Sequence, residues 1–228
     1  MAQFTAWEKE YKKPKMITRA DEPAVAFKDF VKWLRRKEGV GFDGLRVLDL
    51  GSGTGKNAIY LAERGAKAFG IELSKEAVKI SKERAVREGV QVEFLEGSFG
   101  EKLSFPDQSF DLVLDVTSSN SLDEKERGVY INEVARVLKT GGYFFVRALC
   151  KDGDKNANNL LKESGSKEKD TYYMSELGLY ERVFSKEDFL NMYSKDFEIL
   201  KLEKDSGYTT VAGRKYKRNF WLAYMKKK

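Results

Sequence analysis

The run Val47-Leu48-Asp49-Leu50-Gly51-Ser52-Gly53-Thr54-Gly55-Lys56-Asn57 restricts the fold of this chain more than any other segment. With Leu45, the residues Val47, Leu48 and Leu50 form an apolar run stopped by glycine, the pattern of a buried strand. From Ala58 the apolar positions Ala58, Ile59, Leu61 and Ala62 fall at helical spacing, and Gly65 closes them. A strand that breaks into glycine at alternate positions and then opens a helix presents bare backbone N–H groups at the helix's positive end. It is a binding turn for a nucleotide-type ligand.

Spacing narrows the ligand. A phosphate-binding P-loop needs glycine, four residues, then Gly-Lys-Ser/Thr, but Leu50 and Asn57 stand at its two ends. A dinucleotide fingerprint has its third glycine one place later than Gly55. Asp49, just before the turn, would repel a pyrophosphate and suits a ligand that carries positive charge. Lys67 to Ile71 reads as a second strand, and Glu72 ends it about twenty residues past the glycines, where a ribose hydroxyl pair is held.

The segments VLDLGSGTGKNAIYLAERG and FGIELS closely resemble motif I and the second-strand acid of class I S-adenosylmethionine-dependent methyltransferases. Val92 to Phe99 is similar to the family's adenine-contacting loop, Ser104 to Asp115 to its approach to strand four, and Val137 to Phe144 to its turn into strand five. The resemblance covers roughly Phe42 to Val146 and implies S-adenosylmethionine as cofactor, S-adenosylhomocysteine as product and no metal. It implies that Asp49 favours the cationic methionine portion and that Gly51, Ser52, Gly53 and Asn57 form the turn against it. Glu72 would then accept both ribose hydroxyls, with Leu73 beside it also against the cofactor, while the Gly97-Ser98-Phe99 loop borders adenine and Asp115 faces the cofactor from strand four. Many relatives have aspartate where this chain has Ser98, which shifts adenine recognition onto backbone groups or the serine hydroxyl.

Strand and helix patterns alternate through residue 147, so an α/β Rossmann-like, doubly wound fold is expected. Its sheet would be mostly parallel and seven-stranded, with helices on both faces and an antiparallel C-terminal strand pair, Phe197 to Lys204 and Asn219 to Met225. Residues 1–41 read as an N-terminal lid segment and helix, with Asp21-Glu22-Pro23 as the helix start, and 42–228 as the methyltransferase domain. Ser121 and Glu124 have capping-box spacing ahead of the helix through Tyr130 and Val134. Lys151 to Asp170 is polar and lacks aromatic residues, so it reads as a mobile insertion. Trp7 and Tyr11 before the domain, and Tyr172 and Tyr173 after that insertion, are the candidate acceptor-binding rings.

The chain has no histidine, which removes the commonest general base, Ser-His-Asp chemistry and most zinc sites. A neutral amine, a thiol or a carboxylate acceptor is therefore easier to support than an unactivated hydroxyl. Any base would come from Tyr11, Tyr172, Tyr173 or a buried acid, and the sequence designates no catalytic residue. Lys+Arg of 42 against Asp+Glu of 36 is a mild basic bias, compatible with nucleic acid but satisfied by a lysine-rich solvated surface. One cysteine, no leader pattern and no membrane-length apolar run point to a cytoplasmic protein. A small-molecule acceptor is the leading expectation; the alternatives are a methyltransferase acting on RNA or protein, and an NAD-binding oxidoreductase or noncatalytic nucleoside-binding module. Oligomeric state is left open.

Overall fold

The computed structural model describes residues 2–16, 22–211 and 213–228, apart from the side chains of residues 2 and 214. Parallel strands β1 (Arg46–Leu50), β2 (Lys67–Glu72), β3 (Val92–Glu96), β4 (Phe110–Val116) and β5 (Leu138–Leu149) form the centre of the sheet. The antiparallel hairpin β8 (Phe197–Val211) and β9 (Arg214–Lys227) completes it, and the order β3-β2-β1-β4-β5-β9-β8 is the seven-stranded arrangement expected. Because β1 pairs in parallel with both β2 and β4, the chain reverses direction across the sheet there. The crevice above the carboxyl ends of β1 and β4 is thus the place for a ligand.

Alternation along the strands supplies two cores. Leu48, Leu50, Val113, Phe144 and Val146 face helices α5 (Glu124–Val137) and α7 (Lys186–Tyr193), where Tyr130, Val134, Phe189 and Tyr193 are buried. Val47, Leu112, Leu114 and Phe145 point the other way, onto α2 (Val25–Lys37) through Phe27, Phe30, Val31 and Leu34. Phe30 stacks on Phe145 with centroids 4.5 Å apart. Each such buried side chain contributes about 1.5–3 kcal/mol relative to exposure. Helices α3 (Lys56–Ala62) and α4 (Lys75–Arg87) cover β2 and β3 through Ala58, Ile59, Val78 and Ala85, so helices lie on both faces.

Four local expectations change. The capping box of α5 is Asp123 with Glu126, the same spacing as Ser121 and Glu124 displaced by two residues; Ser121 ends a short 3-10 turn, Ser119–Ser121. Residues 151–170 contain a helix, α6 (Lys155–Ser164), started by Asp154, whose carboxylate accepts the Ala157 N–H at 2.8 Å. The terminal strand pair does not stop at Lys204 and Asn219 but runs on to Val211 and Arg214, with Ser206 and Gly207 paired inside it. The start of α2 follows Ala24, which provides no side-chain cap; Asp21 lies outside the described residues. A further ribbon, β6 (Thr171–Met174) with β7 (Leu179–Arg182), stands apart from the main sheet. Among the described residues no helix is long and apolar enough to cross a membrane.

Candidate functional site

The turn after β1 takes its shape from backbone angles that side chains resist. Gly51, Gly53 and Gly55 have φ of 65, 55 and 80°, the left-handed region open to glycine. A β-carbon at Gly51 would sit 2.5 Å from that of Ser118, and one at Gly55 would meet Phe94 at 2.5 Å. The turn is clamped to the tip of β2. Glu72 accepts the Gly53 N–H at its Oε2 and the Ser74 N–H at its Oε1, both at 2.8 Å. Burial raises its pKa, while those backbone donors pull it back.

Asp49 lies under the same turn, 1% exposed; the Asn57 amide and the Ala58 N–H approach its carboxylate, but neither oxygen has a partner within strict hydrogen-bond geometry. Burial lifts its pKa to about 7, and the nearby Asn57 amide and Lys56 ammonium draw it back towards the ordinary range. Ser52 Oγ, Thr54 Oγ1 and Asn57 Oδ1 are also buried without a partner. Native interiors leave few such groups, so their concentration in one turn, beside two buried carboxylates, marks a surface made for a polar ligand with positive charge.

Gly51, Ser52, Gly53, Asn57, Glu72, Leu73, Ser98 and Phe99 all border one cavity of about 400 Å³. Such a volume suits a small ligand. Ser98 Oγ accepts the Gly100 N–H at 3.1 Å, leaving its hydroxyl proton available to an acceptor. Gly97 is behind the wall and donates its N–H to the Glu72 carbonyl, holding the loop against β2. Asp115, like Asp49, lies behind the cavity wall and not on its lining. It is fully buried, its Oδ1 accepts from Ser118 and Ser119 N–H, and its Oδ2 accepts from Tyr130 Oη at 2.8 Å.

The cavity is roofed by α1 (Ala2–Lys12), which brings Trp7 and Tyr11 to its wall. The helix is tied at one side where Glu8 accepts from Ser74 Oγ at 2.7 Å, and at the other where Gln3 donates to the carbonyls of Ser121 and Tyr180. The other two candidate rings are placed elsewhere. Tyr172 is buried in a network with Glu181 and Arg218, and Tyr173 is a half-exposed ring against Tyr180, so neither borders the cavity. Burial, with nearby carboxylates, pushes the phenols of Tyr11 and Tyr172 well above their ordinary pKa, so neither is a base near neutrality.

Sequence reasoning missed the far half of the cavity. Thr117 and Arg147, at the tips of β4 and β5, and Tyr208 to Val211 of the hairpin all line it. A cation ending the apolar run Tyr143-Phe-Phe-Val-Arg147 was the one available signal; the hairpin residues carry none.

Residues 47–142 match a family model described as a methyltransferase domain. The chain is 40% identical over 104 residues to a fatty-acid O-methyltransferase of Mycolicibacterium smegmatis, a match that covers 45% of this chain and 36% of that relative's length. Its fold is similar to a solved SAM-dependent methyltransferase of Methanosarcina mazei, with TM-score 0.74, 23% identity and coverage of 90% of this chain and 98% of the other. It is also similar, with TM-score 0.72 and 18% identity, to a Burkholderia thailandensis 1,6-didemethyltoxoflavin-N1-methyltransferase solved with S-adenosylhomocysteine; that match covers 99% of this chain and 87% of the other. Residues 47–142 are thus a methyltransferase domain, and the chain has the fold of solved S-adenosylmethionine-dependent methyltransferases.

Proposed function

We propose that this chain transfers a methyl group from S-adenosylmethionine to a small-molecule acceptor held in the roofed cavity. The observation that carries the reading is the set of partnerless buried polar atoms on Asp49, Ser52, Thr54 and Asn57, next to the Glu72 carboxylate. These groups fit the cofactor's chemistry: Asp49 offers negative charge to its methionine end, and Glu72, with two of its roughly four lone-pair positions used, retains acceptors for ribose hydroxyls. Leu73, Ser98 and Phe99 supply an apolar and hydroxyl edge for adenine. When bound, the cofactor supplies a methyl already activated by a sulfonium. The protein's task is then to position the acceptor and exclude water, effects worth up to ~7–11 kcal/mol in well-oriented systems.

The roof favours a small molecule over RNA or protein. α1, fastened at Ser74 on one side and at Ser121 and Tyr180 on the other, lies over the cavity, which suits a small acceptor better than a polymer. The relatives named above act, by their names, on a fatty acid and on a toxoflavin precursor, which supports the same class of acceptor. The test is a thermal-shift comparison of S-adenosylhomocysteine with NAD, followed by a labelled-methyl transfer screen over metabolites, RNA and protein extracts. A ligand at a hundredfold excess over Kd stabilises by ~2.7 kcal/mol. Stabilisation by NAD alone would overturn the proposal.

A further inference from the structure

Arg147 stands at the end of β5, beside Val116 of β4 and Leu222 of β9, and borders the cavity on its acceptor side. Its guanidinium carbon lies 3.4 Å from the ring centroid of Phe220, and its Nη1 donates to Thr117 Oγ1 at 2.7 Å. Nε is buried with no partner. Among the described residues no carboxylate forms an ion pair with it, whereas Arg136, Arg182 and Arg218 each have one. Burial without a counter-charge lowers its pKa to about 10, with only Asp205 opposing. A cation in that position is costly to keep, and the protein holds it with further strain. Thr117 adopts φ of 64°, a conformation β-branched residues avoid, while its N–H donates to the Arg147 carbonyl at 2.7 Å. Arg147 and Thr117 are thereby joined at two points, one through the guanidinium and one through the backbone, near the tips of β5 and β4.

Resting on the methyl-transfer reading above, we infer that Arg147 is the anchor for a carboxylate on the acceptor, and that the acceptor's body is apolar. A planar fork stacked on an aromatic ring is suited to a carboxylate. The surrounding wall of Leu149, Leu160, Met174, Val211 and Phe220 suits hydrocarbon. A phosphate dianion fits less well, because Glu126 and Glu176 also border the cavity, while of its other cations Lys56 is drawn to Asp49 and Arg218 is engaged by Asp154 and Glu181.

The test uses the full chain saturated with S-adenosylhomocysteine, titrated calorimetrically with hexanoate and 3-phenylpropionate, their primary amides, and phenyl phosphate. The acids should bind about tenfold or more tighter than the amides, the ratio expected when a charged hydrogen bond is lost. Arg147→Met should abolish that preference and Arg147→Lys retain part of it, with S-adenosylhomocysteine affinity unchanged in both. Because removing the cation strands no paired carboxylate, Arg147→Met should also raise the melting temperature of the ligand-free protein, whereas a purely structural arginine would lower it. Equal binding of acid and amide, no binding of either acid, a preference that survives Arg147→Met, or tighter binding of phenyl phosphate would each overturn the inference. Failure of S-adenosylhomocysteine itself to bind would instead count against the methyl-transfer reading. Should Arg147→Met not fold, Thr117→Val, which frees the guanidinium from its hydroxyl partner, must weaken the acids without affecting the amides.

Discussion

Glu72 and Gly53, 19 residues apart, are joined by a 2.8 Å hydrogen bond from the glycine N–H to the carboxylate, so the acid proposed to hold the sugar also shapes the turn. Its other oxygen accepts the Ser74 N–H that opens α4. In Glu72→Gln one of those two N–H groups must face an amide NH2. Unfolding free energy should fall by about 1–3 kcal/mol without ligand, and S-adenosylhomocysteine should bind at least as much more weakly. Urea unfolding and calorimetry measure the two effects separately; unaltered affinity would move the sugar elsewhere.

Cofactor affinity should depend on pH through Asp49. Its pKa in the folded chain is about 7 against an ordinary 3.8, so the group's contribution to stability is present below pH 4 and lost as pH rises through 7. A cationic ligand beside it reverses this preference and expels a proton. Affinity should therefore rise roughly tenfold between pH 6 and pH 8. Titrations in buffers of different ionisation enthalpy report the released proton, and Asp49→Asn should bind more weakly with a flat profile.

Gly53 has no room for a side chain. A β-carbon there would lie 2.7 Å from Tyr11 Oη, and φ is 55°. Gly53→Val should abolish S-adenosylhomocysteine binding while leaving the far-ultraviolet spectrum intact, and should expose α1 to limited proteolysis. A variant that binds normally would show that the backbone is not close to the ligand at this point.

Asp154 carries three structural duties at once. Fully buried, it caps α6, accepts the Asn219 N–H at 2.8 Å and pairs with Arg218 at 3.1 Å. Asp154→Ala strands the Arg218 charge, so stability should drop by about 3–5 kcal/mol, read as a lower melting temperature. A loss under 1 kcal/mol would mean that Glu181 and Tyr172 suffice to hold the guanidinium.

The centre of the parallel sheet was legible because β1, β4 and β5 are largely buried and read as nearly unbroken apolar runs, and the acids Asp49 and Glu72 because they interrupt or end such runs. The hairpin was cut short for the opposite reason. Beyond Asp205 its strands carry Ser206, Gly207, Thr209, Thr210, Lys215, Lys217 and Arg218, so pairing with a neighbour, and no apolar alternation, defines them. Helix α6 hid in a polar segment whose apolar face is only Ala157, Leu160 and Leu161. Asp115 looked like a ligand residue because the acid at a strand end has the same appearance whether it meets a cofactor or caps the next turn; the partner Tyr130, 15 residues on, decided between them.

The long hairpin also divides the molecule's labour by sequence position. The turn and acids proposed to hold the cofactor come from residues 49–99, while the far wall of the cavity, the compartment proposed for the acceptor, is contributed by Tyr208 to Val211 and Phe220, more than a hundred positions later. Changes at this ribbon's tip can accumulate without disturbing the first strand, so the catalogue of molecules admitted is free to drift while the methyl donor stays fixed. Grafting one ribbon for another is thus a route to new acceptors on an old engine.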